Sequence, residues 1–278
     1  MELRVRHRLH YDYSGPVFLE PHTLYLYPRT GPHQRLLDYR LRIDPEPSLV
    51  VRNTDTEGNV QQLVYFQGEC RSLAVEAEMR VTSDPFNSFD FVLYPFDTEQ
   101  MPFRYSANQQ RTLASYLDRD GVTMAVEGFA RRLANETRWQ TVPFLTRLGA
   151  CIREQFAYEI REVGPAHPPD QTLQTGRGSC RDFAVLFIAC CRSLGLAARF
   201  VSGYLSGSPQ QQHELHAWAE VYLPGAGWRG IDPTEGHLVG NHHLPLAASY
   251  FPDKLAPLGG TFRGASVRST MAASVELF

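Results

Sequence analysis

Cys180, His216 and Asp232 follow one another along the chain, each in a well-formed local setting. The cysteine lies in Gly178-Ser179-Cys180-Arg181-Asp182-Phe183, just ahead of an apolar helical run. The histidine opens His216-Ala217-Trp218-Ala219-Glu220-Val221-Tyr222, and the aspartate closes Gly230-Ile231-Asp232 before Pro233. A cysteine attacks carbonyl carbon as its thiolate. The partial positive charge of a helix N-terminus favours that anion, and a neighbouring imidazolium favours it further. A carboxylate beside the imidazole fixes its tautomer and stabilises its cationic form. The pattern therefore reads as a thiol nucleophile, its base and an orienting acid.

Acyl chemistry also needs donors for a developing oxyanion. The backbone N–H of Cys180 is one supplier. A second is expected upstream, from Tyr158, Gln171 or Gln174, with Tyr158 preferred. Arg181 follows the thiol and offers positive charge to an acidic substrate, unless it is simply solvated. Asp182 is expected to tie down the helix start or a neighbouring loop. Alternation places His216, Trp218, Glu220 and Tyr222 on one strand face, which makes Trp218 a candidate for the substrate side. Ala217, Ala219, Val221 and Leu223 take the other face, where two alanines would let a helix approach closely; which face meets the Cys180 helix is left open. His213 competes with His216 for the base. His216 is preferred because it stands at the strand entrance, whereas His213 falls in loop-like sequence. His237, His242 and His243 lack ligand spacing, and no calcium-type acidic loop is present, so no metal or other cofactor is expected.

The elements that must position these residues are legible. Ser179 can cap a helix whose buried stripe is Ala184, Phe187, Ile188, Cys191 and Leu194, with Gly195 as its stop. Strands are expected over 198–205, 216–223 and 228–232. Upstream, helices are expected over about 109–119, 122–136 and 142–158, then a Pro- and Gly-rich loop over 162–178. The first hundred residues alternate instead: Leu3, Val5, His7, Leu9, Tyr11 and Tyr13, then Leu37, Tyr39, Leu41 and Ile43, then Leu73, Val75, Ala77, Met79 and Val81. Turn sequences such as Ser14-Gly15-Pro16 and Glu57-Gly58-Asn59 separate these runs, as in an antiparallel β-sandwich. The expectation is an α+β protein. An N-terminal sandwich spans 1–100, a linker runs over about 94–105, a catalytic core spans 101–278, and the tail after Gly259 is loosely packed.

Composition narrows the function classes. The 278 residues are 43% hydrophobic and 21% charged, as in ordinary globular proteins. A net charge of −3 gives no electrostatic footprint for nucleic acid. The longest apolar run, Phe183 to Cys191, is too short to span a bilayer, and no signal-like segment opens the chain. Five cysteines, an odd count at wide spacing, suggest reduced thiols in the cytoplasm. The expected partner is a peptide or protein substrate, with no membrane; the oligomeric state is left open.

Taken together these segments resemble bacterial transglutaminase-like proteins. The resemblance runs through Gly176-Arg177-Gly178-Ser179-Cys180-Arg181-Asp182-Phe183-Ala184, the stretch Arg192 to Leu205, His216 to Pro224, Gly227-Trp228 and Asp232-Pro233-Thr234. His7, Gly58-Asn59 and the N-terminal strand pattern extend it over most of the chain. It implies a papain-like core, a nucleophile helix packed on an antiparallel sheet, with Cys180 as nucleophile, His216 as base and Asp232 as orienting acid. The chain departs from the family where Arg181 replaces Gln and where Ala248-Ser249-Tyr250-Phe251-Pro252 replaces a Gly-Arg-Asp-Tyr stretch. Three functions compete: an amide hydrolase working through an acyl-enzyme, which leads; an acyltransferase with the same active residues; and a non-catalytic binding module, which a complete triad disfavours.

Overall fold

A computed structural model describes residues 1–161, 164–207 and 215–278. The first third is all strand: β1 (Glu2–Leu19), β2 (His22–Leu24), β3 (Gln34–Asp44), β4 (Leu49–Thr54), β5 (Val60–Tyr65) and β6 (Glu69–Ser83). Helices α1 (Ala107–Thr112), α2 (Met124–Glu136) and α3 (Thr141–Gln155) follow, then β7 (Ala157–Tyr158), α4 (Pro169–Thr175), β8 (Arg177–Gly178) and α5 (Cys180–Ser193). The remainder is β9 (Ala198–Leu205), β10 (His216–Leu223), β11 (Gly227–Asp232), β12 (His237–Leu238), β13 (His243–Ser249), β14 (Leu258–Gly259), β15 (Phe262–Arg263) and β16 (Ser269–Leu277). The protein is α+β, with antiparallel sheets dominating.

Two sheets build the N-terminal layer pair: β15-β1-β6-β3, with β16 also on β1, and β14-β2-β5-β4. Alternation divides the first sheet cleanly. Leu3, Val5, His7 and Leu9 of β1 and Leu73, Val75, Ala77, Met79 and Val81 of β6 are all buried. The opposite face carries Arg6, Arg8 and Arg42 paired with Glu76, Glu78 and Glu276. In β3 the expected inward series fails at Leu37, which is exposed, while Leu36 is partly buried. A register irregularity between Leu36 and Asp38 opposite β6 inverts the alternation there.

The tail is not loose. Residues 269–277 pair antiparallel with β1 from Tyr13 to Val5, so the last strand belongs to the N-terminal sheet. The boundary expected at residue 100 therefore does not contain that sheet. Its core is shared too: Val5, Leu73 and Val64 lie in one buried cluster with Tyr204 of β9 and Leu244 and Leu246 of β13.

The central sheet runs β12-β11-β10-β9-β13. The alanine face of β10 meets α5: Ala217, Ala219 and Val221 share a cluster with Phe183, Ala184 and Phe187. Strand β13, missed in the sequence, flanks β9 on its other edge. Helix α3 stops at Gln155 rather than Tyr158, because Ala157 and Tyr158 pair in parallel with Arg177 and Gly178. The first expected helix is shorter, α1 followed by a 3-10 turn over Ala114–Leu117. The expected linker is anchored rather than free. Met101 is buried, and the Tyr105 hydroxyl donates to Tyr222 O at 2.8 Å and accepts from Ala197 N–H at 3.0 Å.

Gly203 of β9 stands opposite His216. A Cβ there would lie 2.6 Å from Trp218 Cη2 and collide with the Leu244 carbonyl. Gly203→Ala should therefore lower unfolding free energy by about 2 kcal/mol, read by urea denaturation; an unchanged midpoint would show that β9 and β13 separate without cost.

Candidate active site

Helix α5, which begins at Cys180, is clamped at its start. Ser179 caps it, and Asp182, fully buried, accepts from Ser179 N–H and Oγ–H through Oδ2, each at 2.8 Å. Its Oδ1 accepts from His167 N–H at 2.7 Å and from the Arg161 guanidinium at 2.5 Å. Burial alone would raise the Asp182 pKa; the donors from His167 and Ser179 outweigh it and lower the value. Glycine is required next door, since a Cβ on Gly178 would stand 2.8 Å from Asp182 Cβ. The first-turn N–H groups, those of Cys180 and Arg181 among them, have no acceptor within the helix and are open to an anion.

Adjacent strands assemble the imidazole and the carboxylate. His216 heads β10 and Asp232 ends β11, and Nε2–H of the histidine donates to Oδ2 of the aspartate at 2.6 Å. His216 Nδ1 has no hydrogen-bond partner among the described residues. Burial opposes the imidazolium, but the Asp232 charge and hydrogen bond, assisted by the Cys180 thiol, raise the His216 pKa to about 10. Asp232 also accepts from His243 Nε2–H at 3.0 Å, and its Oδ1 accepts from the N–H groups of Thr234 (2.9 Å) and Glu235 (3.3 Å). Burial would raise its pKa; the charge and hydrogen bond of His216 reverse that and hold Asp232 well below the carboxylate range.

His243 entered the sequence reading only as a weak metal candidate, yet the fold delivers it to the triad. Its Nδ1 accepts from Gly240 N–H at 3.3 Å, which leaves the proton on Nε2, aimed at Asp232. Burial lowers its pKa and keeps it neutral. Potential ligand atoms of His216, Asp232 and His243 lie within 4.8 Å of one another. Both Nε2 atoms are engaged as donors to the carboxylate, so the three side chains form one hydrogen-bonded His–Asp–His group. Nothing in the spacing of His243 from Asp232 foretold this; the signal was the unrecognised strand β13.

A cleft of about 610 Å³ opens over Cys180 and His216. Tyr158 lines it, as do Ser179, Arg181, Ser202 and Ala217. Gln171 and Gln174 lie on α4, exposed and outside the cleft, and are set aside as oxyanion donors. Arg181 lines the cleft, and its guanidinium donates to the carbonyls of Arg161 and Gly164. Trp218 does not reach the cleft. It is 1% exposed, packs edge-on to His243 with ring centroids 5.2 Å apart, and seals the His–Asp–His group from behind. His213 lies outside the described residues.

Comparison with known proteins agrees with this architecture. Residues 128–233 match the transglutaminase-like superfamily core, and residues 3–82 match the bacterial transglutaminase-like N-terminal region. The chain belongs to the transglutaminase-like superfamily. An uncharacterized Mycobacterium tuberculosis protein is 28% identical over 289 residues, covering 99% of this chain and 91% of its own. A protein-glutamine gamma-glutamyltransferase of Pseudomonas aeruginosa is 30% identical over 119 residues, 38% of this chain and 18% of that protein. Among solved structures, a candidate cysteine protease of Cytophaga hutchinsonii superposes with a TM-score of 0.71 over 100% of this chain and 98% of its own; at 16% identity the likeness is one of fold.

The raised His216 pKa carries a stability signature. Between the unfolded value of 6.5 and the folded value near 10 the native state holds a proton that the unfolded chain has lost. Stability should therefore fall as pH rises through that window, by at most about 1.4 kcal/mol per pH unit. Urea denaturation from pH 6.5 to 8.5 should show the slope in the wild type. His216→Gln, which keeps a donor for Asp232 but does not titrate, should flatten it. Equal slopes would mean that His216 is already neutral in the folded protein.

Proposed function

We propose that this protein is a thiol-dependent amide-bond hydrolase acting on peptide or protein substrates through an acyl-enzyme. The observation that carries the proposal is the buried His216–Asp232 pair, which keeps an imidazolium beside Cys180 at the mouth of a cleft. In this reading the Cys180 thiolate attacks the amide carbon, and the oxyanion takes N–H donors from the first turn of α5, with Tyr158 at hand in the cleft. His216 Nδ1–H passes its proton to the leaving nitrogen as the C–N bond breaks, and a thioester remains. Water then adds to the thioester carbon while Nδ1 takes its proton. The C–S bond breaks, the acid departs, and the thiolate–imidazolium pair is restored.

The same residues would serve transfer of the acyl group to an amine. Similarity over 119 residues to a protein-glutamine gamma-glutamyltransferase supports that second reading. The five unpaired cysteines support, within the same proposal, a reducing compartment such as the cytoplasm.

Iodoacetamide labelling across pH 4 to 9, mapped by mass spectrometry, tests the nucleophile. Cys180 should label rapidly below pH 7, and His216→Ala should remove that acid-side reactivity. Labelling that rises only near pH 8.5 and ignores His216 would sink the ion pair. Turnover of a fluorogenic peptide amide should vanish in Cys180→Ala and fall roughly 100-fold or more in His216→Ala. With a primary amine added, free acid should remain the main product; a predominant amide product would select the acyltransferase.

A further inference from the structure

The wall of the cleft facing Cys180 comes from the N-terminal sheet. Three cross-strand pairs of β1 and β16 present their side chains there: His7 with Val275, Leu9 with Ala273, and Tyr11 with Met271. The ionic face of the same strands points to solvent, so alternation along β1 sends apolar side chains and one imidazole into the site.

His7 is 2% exposed. Its Nδ1 lies 2.8 Å from the hydroxyl of Tyr204, whose only hydrogen-bond partner among the described residues is this ring. Burial lowers the His7 pKa to about 4 and pushes that of Tyr204 well up, so both groups are neutral near pH 7. A buried phenol O–H needs an acceptor. Tyr204 therefore donates to Nδ1, and the single imidazole proton sits on Nε2. That N–H has no partner among the described residues. The ring lines the cleft, and Nε2 is its nitrogen not held by Tyr204. It stands as a fixed donor set in an apolar wall, the arrangement that orients a ligand in a largely apolar pocket.

We infer that the thiol site takes an extended polypeptide laid against the β1–β16 face, with a substrate carbonyl accepting from His7 Nε2–H and an apolar substrate side chain packed on Leu9, Ala273 and Val275. The inference rests on Cys180 being the nucleophile. It makes His7 a substrate-positioning residue supplied by the N-terminal domain. The β1 and β16 residues that line the cleft carry no formal charge, while Asp253 and Arg181 line it elsewhere. Neighbouring Arg161 and Arg181 donate to Asp182 and to loop carbonyls.

The test compares alkylation of Cys180 by iodoacetamide with alkylation by acetyl-Ala-Ala-X-chloromethyl ketones in which X is Leu, Gln, Lys or Asp. In each case Sγ displaces halide from the methylene carbon, so the ratio of the two rates isolates recognition of the peptide. The Leu ketone should be preferred over Asp and Lys by tenfold or more. His7→Leu should cut the Leu-ketone rate at least tenfold and leave the iodoacetamide rate and its pH profile in place. His7→Gln, which returns an N–H near the Nε2 position, should restore most of it. Ala273→Phe, on an exposed position of β16, fills the wall without touching the Tyr204 contact and should also cut the Leu-ketone rate. Ketone rates indifferent to X, to His7 and to Ala273, with normal iodoacetamide labelling, would overturn this inference and leave the thiol site standing. A Cys180 unreactive to both reagents would overturn the thiol reading and this inference together.

Discussion

Asp232 is a carboxylate shut away from water, and the site is organised around keeping it charged. An ionised carboxylate in such a place is tolerable only when hydrogen bonds and a counter-charge replace its hydration. Four donors do so: two backbone N–H groups of the turn that follows β11 and the Nε2–H groups of His216 and His243. They come from three places, the turn after β11 and the starts of β10 and β13, so the charge is compensated only when those three strands are in register. The pairing that raises the His216 pKa thus also depends on correct assembly of the sheet.

This explains the division of labour between the two histidines. His243 is tied at both nitrogens, donating to Asp232 and accepting from Gly240, and has no freedom to exchange protons with a substrate. His216 is tied at Nε2 alone, and its Nδ1 remains available to the thiol side. Trp218 closes the back of the group, excluding water that would screen the His216–Asp232 attraction. At the other wall Asp182 plays a comparable part for the helix, gathering Ser179, His167 and Arg161 so that Cys180 starts a first turn that cannot fray.

Cys180, His216 and Asp232 stand out in the sequence because each sits in a local context with its own physics: a capped helix start, a strand entrance and a strand end before proline. The N-terminal strands were legible through alternation, which β6 keeps from Leu73 to Ser83. What was not legible depends on pairing between distant segments. Ala157 and Tyr158 read as helix because their apolar spacing continues α3; only Arg177 and Gly178 make them a strand. The tail reads as polar and small because Ser269, Thr270, Ala272 and Ser274 lie on an exposed edge, and its strand character comes from β1 more than 250 positions away in the chain. Trp218 shares a strand face with His216, which was read as proximity to substrate; in the fold that face turns toward His243 instead.

The pairing of β16 with β1 also alters what the N-terminal domain is for. A sandwich attached by a linker would be a separable module, and its contribution to the thiol site would be indirect. Here the strand that leaves the catalytic sheet returns to the first strand of the chain, and Tyr204, Leu244 and Leu246 bury themselves among the sandwich side chains. The cleft therefore has one wall made by α5 and its preceding loop and another made by β1 and β16. Loss of register between the first and last strands would disturb the second wall while leaving the His–Asp–His group intact, since that group is held within the central sheet. The His–Asp–His group and the β1–β16 wall thus lie in different sheets, joined through the Tyr204–His7 hydrogen bond.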